Sequence, residues 1–199
     1  MAGSRSGAAT RTARWSTRSA VSPPGRALDV GAGEGGDALL LAERGWAVTA
    51  SDISRRALER VGAEAGRRGL RVERHHADAN ALNAFATEAF DLVSAQYASI
   101  PRTPDRRGVG NLLNAVAPGG TLLVVGHDLE PMRSPIETRT NSRAFDPDAY
   151  VRVDDVADAL AASSDWHIEV HEKRPRPAGA ASASQYVDDI VLRARRRAD

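Results

Sequence analysis

Asp29 stands two residues ahead of a glycine run, Gly31, Gly33 and Gly35, and a second carboxylate, Asp52, follows about 20 residues later. Glycines let the chain turn sharply and approach a ligand with no Cβ in the way. The apolar run Ala38 to Ala42 then opens a helix, whose first N–H groups have no partner within it. The chemistry on offer is therefore binding of a nucleotide-like ligand. Gly31-x-Gly33-x-x-Gly36 also satisfies the dinucleotide fingerprint. An acid at position 29 repels a pyrophosphate, however, and suits a cationic amino acid group. Asp52 has the spacing at which a carboxylate accepts hydrogen bonds from both hydroxyls of a ribose. The competing readings are a tight βα turn with no ligand, and Asp52 as the cap of the next helix, a role Ser54 also fills.

Other polar residues cluster where ligands sit in open α/β sheets, at the carboxyl ends of strands. Gln96 and Tyr97 follow the fourth expected strand, and His127, Asp128 and Glu130 follow the fifth. His127 has the chemistry of a general base, with Asp128 beside it, although neighbours on a strand point to opposite faces. The same alternation separates His75 from His76, so no metal site is expected there.

These residues need a scaffold, and the apolar pattern supplies one. Strands are expected to end at Asp29, over 46–52, over 70–76 and 90–95, and over 121–126; helices are expected over 54–68, 81–89, 107–116 and 154–160. Residues 117–120, Ala-Pro-Gly-Gly, read as a turn. Two final strands, 166–172 and 186–193, flank a linker rich in Pro, Ala, Gly and Ser at 175–184. Strands alternating with helices imply right-handed crossovers and a parallel sheet. Residues 129–148 break the pattern with three prolines and with Arg133, Arg139 and Arg143, as a functional loop would.

Composition narrows the function classes. The chain has 199 residues, 42% hydrophobic and 27% charged, and is read as one domain over 26–199 behind an N-terminal arm over 1–25. Residues 1–28 hold five arginines and no acid, and lack a signal-peptide core. The absence of cysteine excludes disulfides, thiolate metal sites and a cysteine nucleophile. A net charge of +1 and nine scattered aromatics give no footprint for nucleic acid. No apolar run approaches the ~18 residues of a membrane span. A single lysine, Lys173, leaves almost all positive charge to arginine. A cytoplasmic protein, monomer or homodimer, is the expectation.

Asp29-x-Gly-x-Gly-x-Gly, Asp52, Asp78-Ala79, Phe90-Asp-Leu-Val and Ala117-Pro-Gly-Gly before a strand occur here in a fixed order. In that order they resemble the class I S-adenosylmethionine (SAM) methyltransferases, and among them small bacterial types similar to the tellurite-resistance and thiopurine enzymes. The resemblance implies a Rossmann-like, doubly wound, mostly parallel seven-stranded sheet with an antiparallel last strand. It implies SAM as cofactor and S-adenosylhomocysteine as product. Asp29, Gly31, Ala32, Gly33 and Gly35 would hold the methionine part, Asp52 the ribose, and Ile53, Asp78 and Ala79 the adenine, with Gln96 beside them. Tyr97 and His127 are the catalytic candidates. A small-molecule acceptor is expected. Cytosine C5 chemistry lacks its cysteine, amino-group methylation lacks the Pro-Pro-aromatic run after strand four, and the ribose 2′-hydroxyl enzymes need two lysines. A SAM-binding protein without turnover, or a nucleotide-binding oxidoreductase, are the alternatives. The helices that usually precede the glycine turn in such enzymes have little apolar counterpart in residues 1–25.

Overall fold

The computed structural model describes residues 23–128, 146–175 and 188–198. Seven strands form one sheet in the order β3-β2-β1-β4-β5-β7-β6. They are β1 (Arg26–Val30), β2 (Ala47–Asp52), β3 (Val72–His76), β4 (Phe90–Gln96), β5 (Val116–His127), β6 (Trp166–Pro175) and β7 (Asp188–Arg196). The first five pair in parallel, and β7 inserts antiparallel between β5 and β6. Helices α1 (Gly36–Glu43), α2 (Arg55–Arg67), α3 (Arg107–Ala115) and α4 (Val153–Ala161) cover the sheet. This is the Rossmann-like methyltransferase arrangement the sequence pointed to.

Burial explains why these segments became strands. A parallel sheet covered on both faces wants continuous apolar runs. Ala27 to Val30 are all buried, as are Leu92, Val93 and Ala95 on β4 and Leu122 to Val125 on β5. One core layer gathers Leu28, Val93, Leu122 and Leu192 beneath α3 and α4. The other gathers Ala27, Val48, Leu92 and Leu123 beneath α1 and α2. The chain runs outward from β1 through β2 to β3, and then outward again from β4 to β5. Strand order therefore reverses between β1 and β4, which opens a crevice at their carboxyl ends.

Local signals held where they were strong. Ser54 caps α2, its side chain accepting the Ala57 N–H at 3.2 Å. Gly69, just past the helix, has φ +66°. Among the described residues, no helix is long and apolar enough to cross a membrane.

Two expectations need correction. Residues 81–89 form no helix, although their composition favours one. Asn83 and Glu88 take positive φ, 52° and 53°. The segment's polar groups are engaged with α3 instead: Asn111 donates its amide to the Ala79 and Ala81 carbonyls, and the Glu88 and Ala89 N–H groups donate to Asn114 and Ala115. Those last bonds satisfy carbonyls that the end of α3 leaves open, so tertiary pairing overrides propensity. The turn expected at 117–120 is taken into β5 as an irregular stretch, with Gly119 at φ +72° and a register shift opposite Phe90 and Leu92. The C-terminal arginines tie strands together. Arg193 donates to Glu169 at 2.7 Å, and Arg196 donates to Glu88 and to the Val116 carbonyl. Most of the arm over 1–25, the loop arginines Arg133, Arg139 and Arg143, Glu130, Tyr186 and most of the 175–184 linker lie outside the described residues.

Candidate functional site

The glycine turn is fastened to the end of β2. Gly31 and Ala32 both donate their N–H groups to the Ser51 carbonyl, at 2.9 and 3.0 Å. The Gly33 N–H donates to Asp52 Oδ2 at 2.8 Å, and the Ser54 N–H donates to Asp52 Oδ1 at 2.8 Å. One backbone donor thus fixes each oxygen of the Asp52 carboxylate. A carboxylate has about four acceptor positions, so two remain for a ligand. Asp52 is not the cap of α2, a role Ser54 takes; its bond to the Ser54 N–H uses one lone pair and is compatible with ligand binding.

The three glycines do different work. All have positive φ: 69° at Gly31, 54° at Gly33 and 81° at Gly35. A Cβ at Gly31 would lie 2.8 Å from the Ala98 Cβ, and one at Gly35 would lie 2.8 Å from a Val61 methyl. Both positions are therefore required by packing within the chain. A Cβ at Gly33 would meet nothing within 4 Å. Gly33 is the point where the turn faces open space.

Asp29 lies at the foot of this turn and is 3% exposed. Burial is the main cause that holds its carboxyl well above the usual range. The charges of Asp37 and Asp52 add to this, and the Ala38 N–H of α1 offsets part of it. Its Oδ2 has no hydrogen-bond partner. A buried acceptor without a donor is costly, and a cationic ligand group would supply that donor.

A cavity of about 240 Å³ opens between the carboxyl ends of β1, β2 and β4. Its walls include Gly31, Asp52, Ile53, Asp78, Ala79 and Tyr97, all singled out from the sequence. Ile53 is 67% exposed, an apolar surface left open at the mouth. Asp78 accepts the Asn80 N–H at 2.8 Å, which sets the loop wall opposite Asp52. Gln96 does not line this cavity; it is buried, and its amide donates to Ser94 at 3.3 Å. A larger open groove, about 860 Å³, lies at the other end of the strands by Arg26, Thr49 and Arg74, away from the turn.

The histidines of β3 diverge as expected. His75 Nε2 lies 2.9 Å from the Ala84 carbonyl and His76 Nε2 lies 2.9 Å from the Ile53 carbonyl. Among the described residues, no group of three or more metal-ligating side chains occurs.

Tyr97 and His127 are brought together, and by a residue that sequence reading missed. The Tyr97 hydroxyl donates to Asp189 Oδ2 at 2.6 Å, and His127 Nδ1 lies 3.3 Å from Asp189 Oδ1. The two rings stack with centroids 4.5 Å apart. Asp128, the sequence neighbour, instead forms an ion pair with Lys173 on β6. Asp189 faces His127 because the two are register partners across the antiparallel β5–β7 pair. The visible signal was Asp188-Asp189 directly ahead of the apolar run Ile190-Val191-Leu192.

The donor set fits a ligand with an amino acid cation at one end and a nucleoside at the other, which SAM has. A family model described as a methyltransferase domain matches residues 27–120. A demethylmenaquinone methyltransferase of Clavibacter sepedonicus is 35% identical over 125 residues, 60% of this chain and 49% of that protein. The chain spans about half the length of the curated relatives it matches, or less. A solved structure concerned with conversion of a disulfide bond into a thioacetal group in echinomycin biosynthesis is 25% identical. It aligns with a TM-score of 0.67 over 93% of this chain and 81% of that one. A SAM-dependent methyltransferase of Methanosarcina mazei shares the fold at a TM-score of 0.68, with 20% identity over 90% of this chain and 95% of that one. Residues 27–120 thus match a methyltransferase domain, and the sheet order and glycine turn give the chain the fold of the class I SAM-dependent methyltransferases.

Proposed function

We propose that this protein transfers a methyl group from SAM to a small-molecule acceptor. The observation that carries the reading is the pairing of a fixed Asp52 carboxylate on the cavity wall with the partnerless buried oxygen of Asp29 at the foot of the same turn. Asp29 would take the methionine ammonium. Asp52 would take the ribose hydroxyls. Ile53, Asp78 and Ala79 would enclose the adenine. When bound, SAM supplies a methyl already activated by its sulfonium. The chain's own task is then to orient the acceptor in line and exclude water. The carboxyl ends of β4 and β5, with Tyr97 and His127, are where the acceptor would lie.

Titration calorimetry with S-adenosylhomocysteine and with NAD tests the cofactor. The first should bind and the second should not; the reverse would make the site that of an oxidoreductase. Release of S-adenosylhomocysteine is then measured with thiol, amine, hydroxyl and oxyanion acceptors. Demethylmenaquinone is included because a relative is named for it. Binding without release on any acceptor would leave a SAM-binding protein without turnover.

Asp52→Ala should weaken S-adenosylhomocysteine binding by ~1.5–3 kcal/mol, the range for hydrogen bonds to a charged group. The change also frees the Gly33 N–H, so the turn loses a tie to β2. An unchanged affinity in calorimetry would remove Asp52 from the site.

A further inference from the structure

Asp189 is fully buried, yet both of its oxygens are used by polar side chains at the ligand end of the sheet. Oδ2 accepts from Tyr97, a residue of the cofactor cavity wall, and Oδ1 faces His127 Nδ1. Tyr97 is also held in a costly backbone state. Its φ is +56°, where a bulky side chain is uncommon and strained. Its N–H donates to the Val125 carbonyl at 2.7 Å, and its hydroxyl is anchored on Asp189. The ring of Tyr97 then packs against the ring of His127. Three strands, β4, β5 and β7, thus converge to fix one imidazole at the carboxyl end of β5, with 24% of the His127 side chain exposed.

We infer that Asp189 is a positioning residue that sets His127 to accept a proton from the methyl acceptor, and that this acceptor is a phenolic or enolic hydroxyl. The inference rests on the reading of this protein as a methyltransferase. An ionised carboxylate can only accept hydrogen bonds, so it selects the His127 tautomer with its proton on Nδ1 and its lone pair on Nε2. That arrangement suits an acceptor that must lose a proton. A hydroxyl of the tyrosine type, with a pKa near 10, is protonated at neutral pH and becomes a good nucleophile only as that proton leaves. In the transfer, the acceptor O–H bond breaks and its proton passes to Nε2. The O–CH₃ bond forms, and the C–S bond breaks with its electron pair retained by sulfur. The imidazolium so formed faces the Asp189 carboxylate. The 3.3 Å separation between His127 and Asp189 is long for such a bond and is of the kind that tightens when a site is filled. Among the described residues, the charged and titratable groups near His127 include Asp189 and Asp188 on β7, Tyr97 after β4, and the Asp128–Lys173 pair between β5 and β6.

The test reads the ring nitrogens of His127 by heteronuclear NMR on the intact chain, which needs neither cofactor nor turnover. The wild type should show the Nδ1–H tautomer, and Asp189→Asn should move it to Nε2–H, because an amide can donate to Nδ1. In parallel, Asp189→Asn and His127→Gln should lower kcat on a phenolic acceptor by about 10²–10⁴-fold. KM and S-adenosylhomocysteine affinity should stay within about twofold, and the acidic limb of the pH–rate profile should disappear in His127→Gln. A wild-type Nε2–H tautomer, or a kcat preserved in His127→Gln, would overturn the assignment. Should Asp189→Asn fail to fold, the wild-type tautomer and His127→Gln still decide it. Failure of S-adenosylhomocysteine to bind the wild type would instead defeat the methyltransferase reading, which the tautomer measurement does not depend on.

Discussion

Gly33→Val should abolish measurable binding of S-adenosylhomocysteine, a loss of more than ~100-fold, while the chain stays folded. The reason is the contrast between this glycine and its neighbours. A Cβ at Gly33 meets no protein atom within 4 Å, so a side chain there starts into the space from which the turn would contact its ligand. A β-branched side chain is stiff and cannot swing aside. The φ of +54° adds a backbone cost of ~1–2 kcal/mol, which for a chain of this size lowers Tm by about 2–8 °C. Gly35→Val should behave oppositely. Its Cβ would lie 2.8 Å from Val61 in the apolar layer beneath α2, so loss of stability should dominate. Thermal melts and calorimetry on the two variants separate the roles. If Gly33→Val bound the ligand normally, or unfolded as Gly35→Val is expected to, the turn would be serving chain geometry alone.

What could be read in advance was local. The strand ends, the glycine turn and Asp52 lie within 24 residues, and each carries its meaning in its immediate neighbours. The ends of α2 were legible because Ser54 and Gly69 are strong stop and start signals. Residues 81–89 misled because alanine-rich composition measures propensity, while the backbone bonds of this segment go to Asn111 and the end of α3. Gln96 was placed correctly at a strand end, but alternation along β4 turns it onto Ser94 and away from the cavity. Asp189 was invisible for a different reason. Its partners lie 92 and 62 residues away, and only the register of an antiparallel pair at the far side of the sheet brings them together. His127 has an acid beside it in sequence and another beside it in space, and they are different residues.

Asp29 carries the second large effect, and here stability and binding should move in opposite directions. Its carboxyl is held well above the usual range, first by burial and then by the charges of Asp37 and Asp52. The folded chain therefore keeps a proton on Asp29 at pH values where the unfolded chain has released it. The stability this contributes is complete below the ordinary carboxyl pKa and is lost as pH rises through the raised value. Asp29→Asn removes that loss, so the variant should melt above the wild type, by a margin that widens as pH rises across this window. The same substitution removes the negative charge a cationic ligand would meet, and S-adenosylhomocysteine affinity should fall by about 10–100-fold. The ligand's ammonium favours the carboxylate form, so binding to the wild type should expel a proton from Asp29 at pH values below its raised pKa. Calorimetry in buffers of different ionisation enthalpy counts that proton, and it should be missing from Asp29→Asn. A variant that is no more stable at neutral pH, or that binds as tightly and releases as many protons as the wild type, would show that Asp29 serves neither as the buried charge nor as the cation's partner.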